Sequence, residues 1–109
     1  MENIIKINGV TFEFVNENET TTGFIQEWKT NLQSIDGDTI IVYVRYDEGI
    51  GFENISFNPF SGIPSDDFCI EYINIQDAAK TLRINVNDYE KDVLPFVITA
   101  ELLKRIFNI

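Results

Sequence analysis

Histidine is absent from this chain of 109 residues, and cysteine occurs once. Without histidine there is no imidazole for general acid–base catalysis, and metal sites that use histidine are excluded. A single thiol also excludes zinc sites built from several cysteines. The glycine-rich loops that cradle phosphates are missing, since the Gly-Ile-Gly stretch at 49–51 has no third glycine after it. The sequence therefore predicts no enzyme, no cofactor and no metal site.

Carboxylate pairs are the one catalytic arrangement that the composition allows. Glu13, Glu53 and Glu71 lie in predicted strands, where two of them can face each other as glycosidase acids do. With 18 carboxylates in the chain, such pairs are also expected by chance. A domain of this size offers little room for an enclosed substrate cleft, so we do not predict a hydrolase.

A calcium loop is the other candidate site that the acids suggest. Asp88, Glu90 and Asp92 alternate as in the start of an EF-hand, but Val93 occupies the position where that loop needs glycine. No helix–loop–helix pattern surrounds this stretch. We interpret it as a solvated turn.

Cysteine and long apolar runs are too scarce for a disulfide-bonded or membrane-spanning protein. Cys69 has no second cysteine to pair with and lies in an apolar run, where a small buried side chain is expected. The first residues lack the basic and apolar regions of a signal peptide. No run approaches the roughly 20 apolar residues of a membrane span. We expect a cytoplasmic protein that does not contact membranes.

Positive charge is scarce as well. Eighteen Asp and Glu oppose eight Lys and Arg, which gives a formal net charge of −10. Solubility of a small domain needs a net charge of only about 2–8, so the surplus has either a binding role or none beyond solvation. A negative field attracts a basic partner and speeds the encounter. The same field repels phosphates, so direct binding to nucleic acid is not expected.

Apolar residues are plentiful, at 44% of a chain whose length suits a single domain over 1–109. Asn8-Gly9 between two apolar runs predicts a hairpin of strands at 4–7 and 10–15. The β-branched and aromatic stretch 39–46 predicts a central strand, followed by a turn at 47–49 and a returning strand at 52–57. Two further strands are predicted at 68–75 and 81–86.

Two helices are predicted, one after the first hairpin and one at the C-terminus. The first depends on apolar residues spaced three and four apart, which are Phe24, Ile25, Trp28, Leu32 and Ile35. The second begins at Thr99 as N-cap and has Leu102, Leu103 and Ile106 on one face. Pro95 favours an edge strand or a loop for 93–98. The predicted class is α+β, with a mostly antiparallel sheet of about six strands.

Acidic residues cluster at the predicted turns. If the strands pair in sequence order, the 36–38 turn and the 58–67 loop share one end of the sheet, and the 47–48 turn lies at the other end. The loop adds Phe60, which either serves as an aromatic anchor for a partner or packs into its own core. The predicted partner-binding residues are Asp36, Asp38, Phe60, Asp66 and Asp67, with Asp47 and Glu48 in reserve.

An acidic domain of this length, with a strand-rich core and no catalytic set, resembles the bacterial immunity proteins of contact-dependent inhibition and related polymorphic toxin systems. The resemblance rests on overall character. It implies that the chain binds a cognate toxin domain, often a basic nuclease, and occludes its active site by pairing carboxylates with the Lys and Arg that hold phosphates. Two other classes stay open, a phage-type nucleic-acid mimic that inhibits its target and a non-catalytic regulatory or structural subunit.

Overall fold

A computed structural model describes residues 3–34, 36–58 and 73–107 of the chain. In these ranges six strands form one antiparallel sheet in sequence order, and two helices follow. A short 3-10 turn, Val86–Asp88, separates the helices. The α+β class with a mostly antiparallel sheet is confirmed. The strands are β1 (Ile4–Ile7), β2 (Val10–Glu19), β3 (Gly23–Gln33), β4 (Thr39–Asp47), β5 (Gly51–Asn58) and β6 (Ile73–Asn74), and the helices are α1 (Ile75–Leu82) and α2 (Leu94–Phe107).

The hairpin predicted at Asn8-Gly9 is confirmed. Asn8 has φ 52° and Gly9 has φ 87°, as a two-residue turn with two positive φ angles requires. This turn pairs Ile7 with Val10, and the alternation along β2 then buries Val10 and Phe12 completely. The strands predicted at 39–46 and 52–57 are confirmed as β4 and β5.

The helix predicted after this hairpin is wrong, because residues 23–33 form strand β3. Phe24, Trp28 and Leu32 are four residues apart, and a spacing of four places side chains on one face of a strand as well as of a helix. The two intervening inward positions hold polar residues, Gln26 and Thr30, which hid the period of two. Both are buried and hydrogen-bonded, Thr30 Oγ1 donating to the Ile40 carbonyl at 2.8 Å.

The strand predicted at 81–86 is also wrong, since helix α1 occupies 75–82. Asn74 caps this helix by accepting the Asp77 N–H at 3.0 Å, and Arg83 ends it in the left-handed conformation with φ 58°. The buried residues Ile75, Ala78, Ala79 and Leu82 recur at helical spacing. Of the strand predicted at 68–75, only 73–75 is described, and β6 covers Ile73–Asn74.

Helix α2 begins five residues before the predicted N-cap, at Leu94. Pro95 lies in its first turn, where a missing N–H removes no hydrogen bond of the helix. The edge strand or loop predicted at 93–98 is therefore wrong. Thr99 lies inside the helix and donates its hydroxyl to the Pro95 carbonyl at 2.6 Å. The apolar positions predicted at 102, 103 and 106 are confirmed as buried.

The core lies between the two helices and one face of the sheet. Phe96 of α2 meets Phe12 and Trp28 edge-on, with ring centroids 5.3 and 4.8 Å away. Val42 and Phe57 are fully buried on the same face. We call this side the helix face of the sheet. No helix of the described residues covers the opposite face, to which Glu27 and Lys29 point because they alternate with the buried Trp28.

Candidate functional site

The predicted acidic turns lie at opposite ends of the sheet. Asp36 and Asp38 are exposed between β3 and β4, while Asp47 and Glu48 belong to the β4–β5 turn. Strand β5 then returns to the first end, because its last residue, Asn58, pairs with Ile41. The pairing in sequence order that placed these turns is confirmed.

Part of the predicted partner-binding group lies outside the described residues. This applies to the 59–72 stretch with Phe60, Asp66 and Asp67, and also to Cys69 and Glu71. The structure therefore describes Asp36 and Asp38 but not Phe60, the aromatic anchor predicted to accompany them. Their role in binding stays a prediction.

Asp47 joins two neighbouring turns. Its carboxylate accepts the Gly49 N–H at 2.9 Å and the Thr22 hydroxyl at 2.9 Å, and the Glu48 N–H donates to the Thr22 carbonyl at 2.8 Å. The Gly49 N–H and then the Thr22 hydroxyl hold the pKa of Asp47 below its usual value of 3.8 against an opposing effect of burial, and the charge of Arg45 lowers the pKa further. Asp47 therefore shapes the turn that presents the exposed Glu48.

Asp47→Asn is expected to lower the melting temperature at neutral pH, and the difference from the wild type should shrink in acid. A carboxyl whose pKa is depressed by folding stabilises the protein above its unfolded pKa, here about 3.8. That contribution is lost as the pH falls below 3.8 through the lower folded pKa. Thermal melts followed by circular dichroism from pH 7 to pH 2 measure the difference. Glu48→Gln is the control, and a difference for Asp47→Asn that stays constant down to pH 2 would contradict the assignment.

Two further carboxylates reach the Asp47 end because β2 is longer than predicted. The strand predicted to end at residue 15 continues to Glu19. A bulge between Phe14 and Asn16 shifts the register by one residue, so Glu17 pairs with Gln26 and Glu19 with Phe24. The bulge therefore turns Glu17 and Glu19 toward the helix face.

A cavity of about 380 Å³ lies between the helix face and the turn that leads into α2. This turn is held by the Val93 and Leu94 N–H groups, which both donate to the Glu90 carbonyl, at 3.1 and 3.0 Å. Glu90 and Asp92 are exposed at the cavity, and its apolar wall includes aromatic rings. The lining residues are Ile5, Gln26, Trp28, Phe52, Glu90, Asp92, Val93 and Phe96.

The polar side chain inside this cavity is held by two hydrogen bonds. Gln26 is only 7% exposed. Its Oε1 accepts the Trp28 indole N–H at 3.1 Å, and its Nε2 donates to Glu17 Oε1 at 3.0 Å. Glu17 is therefore linked to the cavity wall by a hydrogen bond.

We use the name acidic end for six carboxylates, four on the strands and turn at the Asp47 end of the sheet and two on the turn at the cavity, whose lining includes Gln26 and Phe52 from that end. Except for Asp47, they are exposed, and none of these exposed five forms an ion pair with a Lys or Arg of the described residues. An ion pair between Arg105 and Glu101, at 3.5 Å, lies elsewhere, on α2. The acidic end consists of Glu17, Glu19, Asp47, Glu48, Glu90 and Asp92.

Aromatic side chains accompany these acids on the helix face. The rings of Phe24 and Tyr46 stack with centroids 4.7 Å apart, and Phe52 meets them edge-on at 6.2 and 5.1 Å. All three side chains are partly exposed, and Phe52 also lines the cavity. Apolar anchors rimmed by charge are typical of binding hot spots between proteins. This cluster was not predicted from the sequence, because the spacing of Phe24 and Trp28 indicated a helix.

The opposite face of the sheet is more evenly charged. Lys29 lies directly across from Glu13, so the glutamate considered for a carboxylate pair has a basic neighbour. A smaller depression of about 170 Å³ on this face is lined by Ile25, Tyr43, Arg45, Asn54 and Ser56. None of these five described lining residues is acidic, which makes the acidic end the better candidate for a basic partner.

Within 3–34, 36–58 and 73–107, no three Cys, Asp or Glu side chains come close enough together to hold a metal ion. None of the helices in these ranges has the length and hydropathy needed to cross a membrane. Comparison with known proteins finds no family model that matches the chain, no curated protein with significant sequence similarity and no solved structure with a significantly similar fold.

Proposed function

We propose that this protein binds a positively charged protein through its acidic end and blocks that partner's active site, as an immunity protein blocks its toxin. The observation that supports this most is the aromatic cluster of Phe24, Tyr46 and Phe52 beside six carboxylates. Aromatic rings supply contact area at the centre of an interface, and surrounding charges select the partner. A basic nuclease domain of a bacterial toxin is the partner that suits this charge best.

The mechanism is occlusion. A nuclease holds its substrate with Lys and Arg that contact phosphates, and carboxylates can pair with the same side chains. With a net charge of −10, the protein attracts such a surface over distances near the Debye length, about 8 Å at physiological salt. The complex would then expose negative charge where the free nuclease exposes positive charge, and the nucleic acid would be repelled.

The proposed interface lies at the end of the sheet with Asp47 and Glu48. The sequence had favoured the opposite end, with Asp36 and Asp38. Asp36 and Asp38 are the acids of the described residues at the first end, whereas the acidic end has six and an aromatic cluster. The two ends therefore form a matched pair for testing, since acids can be neutralised in equal number at either one.

The test is calorimetric titration of the purified protein with the basic domain encoded by the neighbouring gene, where a toxin is expected. We expect one-to-one binding with a nanomolar dissociation constant. A flat titration against a correctly folded basic domain would reject the proposal. Gel-based nuclease assays of the same mixture should show loss of activity at equimolar protein.

Neutralising the acidic end should slow association more than the same change at the other end. Glu19→Gln with Glu48→Gln, and Asp36→Asn with Asp38→Asn, each reduce the net charge from −10 to −8. We expect the first pair to lower the association rate constant about tenfold at low salt and the second pair less than twofold, because steering depends on charges that face the partner. Stopped-flow measurements at several salt concentrations decide this, and equal effects of both pairs would place the interface elsewhere.

A further inference from the structure

We infer that the cavity at the acidic end receives the guanidinium group of an arginine side chain from the partner protein. This inference rests on the proposed function and adds to it the chemical group that is recognised. Three properties of the cavity support it, which are its aromatic wall, its acidic rim and its preformed polar contact.

The aromatic wall suits a flat cation. Trp28 and Phe96 line the cavity with ring centroids 4.8 Å apart, and Phe52 lines it from β5. Trp28 and Phe96 are only 1% and 2% exposed and form the floor of the cavity. The partly exposed Phe52 is the ring on which a guanidinium group can stack. At about 380 Å³, the cavity is near the lower limit of small-molecule sites, roughly 300–1,000 Å³, which suits one long side chain with a few water molecules.

The acidic rim selects a positive charge. Glu90 and Asp92 line the cavity, and neither carboxylate accepts a hydrogen bond or forms an ion pair within the described residues. Both are therefore available to an incoming donor. A guanidinium has five N–H groups in a planar fork, enough to reach two carboxylates at once, whereas an ammonium is a compact and strongly hydrated charge.

The site exists before any ligand binds. The turn at 90–94 is fixed by two backbone hydrogen bonds to the Glu90 carbonyl, and the Trp28–Gln26–Glu17 hydrogen bonds fix the polar wall. A preformed site avoids the entropy cost of ordering side chains on binding. A neutral apolar group would leave the rim carboxylates desolvated without a partner, which opposes its entry.

The direct test uses N-acetyl-arginine N-methylamide as the probe, with the citrulline analogue as an uncharged control of the same shape. Trp28 is the only tryptophan of the chain, so its indole N–H gives one resonance that reports on the cavity. We expect a saturable shift of this resonance with a millimolar dissociation constant for the arginine probe, and binding at least about tenfold weaker for citrulline. No saturable shift at Trp28, or equal binding of both probes, would overturn the inference.

Two double variants with the same change in net charge distinguish binding at the acidic rim from attraction by the overall charge of the protein. Glu90→Gln with Asp92→Asn should weaken binding of the arginine probe at least about tenfold, because both rim carboxylates lose their charge. Asp36→Asn with Asp38→Asn makes the same change in net charge at the far end and should leave binding within about twofold. Equal weakening by both pairs would show that the probe senses only the overall field, which contradicts a specific site.

The inference and the proposed function can fail separately. If the toxin domain binds with unchanged affinity to Glu90→Gln with Asp92→Asn but loses affinity for Glu19→Gln with Glu48→Gln, the acidic end is the interface and the cavity is not used. If the arginine probe binds at Trp28 but no basic domain does, the cavity chemistry stands and the proposed function falls.

Discussion

Phe96→Ala is expected to lower the free energy of unfolding by about 3–5 kcal/mol, as large-to-small changes of buried phenylalanines do. Phe96 is 2% exposed and is the residue through which α2 meets the aromatic rings of the sheet. Its removal takes one edge-on partner from Trp28, which keeps Phe14, and one from Phe12. Because Phe96 also forms part of the cavity wall, the emptied space would join an existing cavity and could not close by small shifts.

A loss of this size matters because small domains are stable by only about 5–15 kcal/mol. Urea titrations followed by far-UV circular dichroism and Trp28 fluorescence measure it. Tyr89→Ala is the control, an aromatic residue just before α2 that is 42% exposed, with an expected change within about 0.5 kcal/mol. If Phe96→Ala does not fold, Phe96→Leu should still fold and cost less, about 1.5 kcal/mol. A change below about 1 kcal/mol for Phe96→Ala would contradict the packing described.

Gly23→Ala is expected to cost about 3 kcal/mol or more, beyond the usual range for overpacking. A Cβ on Gly23 would overlap the Tyr46 carbonyl oxygen and lie 2.9 Å from the carbonyl carbon. These are backbone atoms of the paired strand β4, so no side chain can rotate to make room. The strands must separate where Gly23 pairs with Asp47, at the junction of the two turns of the acidic end.

The matched control for this change is Gly49→Ala in the neighbouring turn. Its added Cβ would meet only Asp47 Oδ1, at 3.5 Å, which is ordinary contact. Alanine at a compatible glycine position usually stabilises by about 0.4–1 kcal/mol, because it restricts the unfolded chain. Opposite signs for the two variants in urea unfolding are therefore expected. A Gly23→Ala protein as stable as the wild type would show that the β3–β4 contact is looser than the structure has it.

Secondary-structure elements were predicted correctly where a few adjacent residues determine them. Asn8-Gly9 predicts its hairpin because few other residue pairs accept two positive φ angles. The stretch 39–46 predicts β4 because its β-branched and aromatic residues suit a pleated surface. In both cases the information lies within a few adjacent residues.

Strand β3 was predicted as a helix because the hydrogen-bond partners that allow its buried polar residues are distant in the sequence. Thr30 is acceptable inside a strand core because the Ile40 carbonyl, ten residues away, accepts its hydroxyl. Gln26 is acceptable because Glu17 and Trp28 satisfy its amide. At 93–98 the proline was taken as an edge-strand signal, although a proline in the first turn of a helix costs no hydrogen bond.

The candidate site was partly predictable. Strand pairing in sequence order correctly separated the Asp36 end from the Asp47 end. Glu17 and Glu19 belong to the site only because of a one-residue bulge in β2. A shift of one residue moves the following side chains to the other face of the sheet. Glu90 and Asp92, interpreted from the sequence as a solvated turn, are exposed as expected, but they also line a cavity that exists only where the turn meets the sheet.

By itself, the sequence determined which side chains this protein lacks and the charge that it carries, because both follow from counting residues. It also determined the first hairpin and the central strand, whose signals are local. Only the tertiary structure decided which residues face the core, where the helices lie and which carboxylates meet around the aromatic rings. The physical reason is that burial of a polar side chain, the register of a strand and the lining of a cavity are all set by partners far apart in the chain.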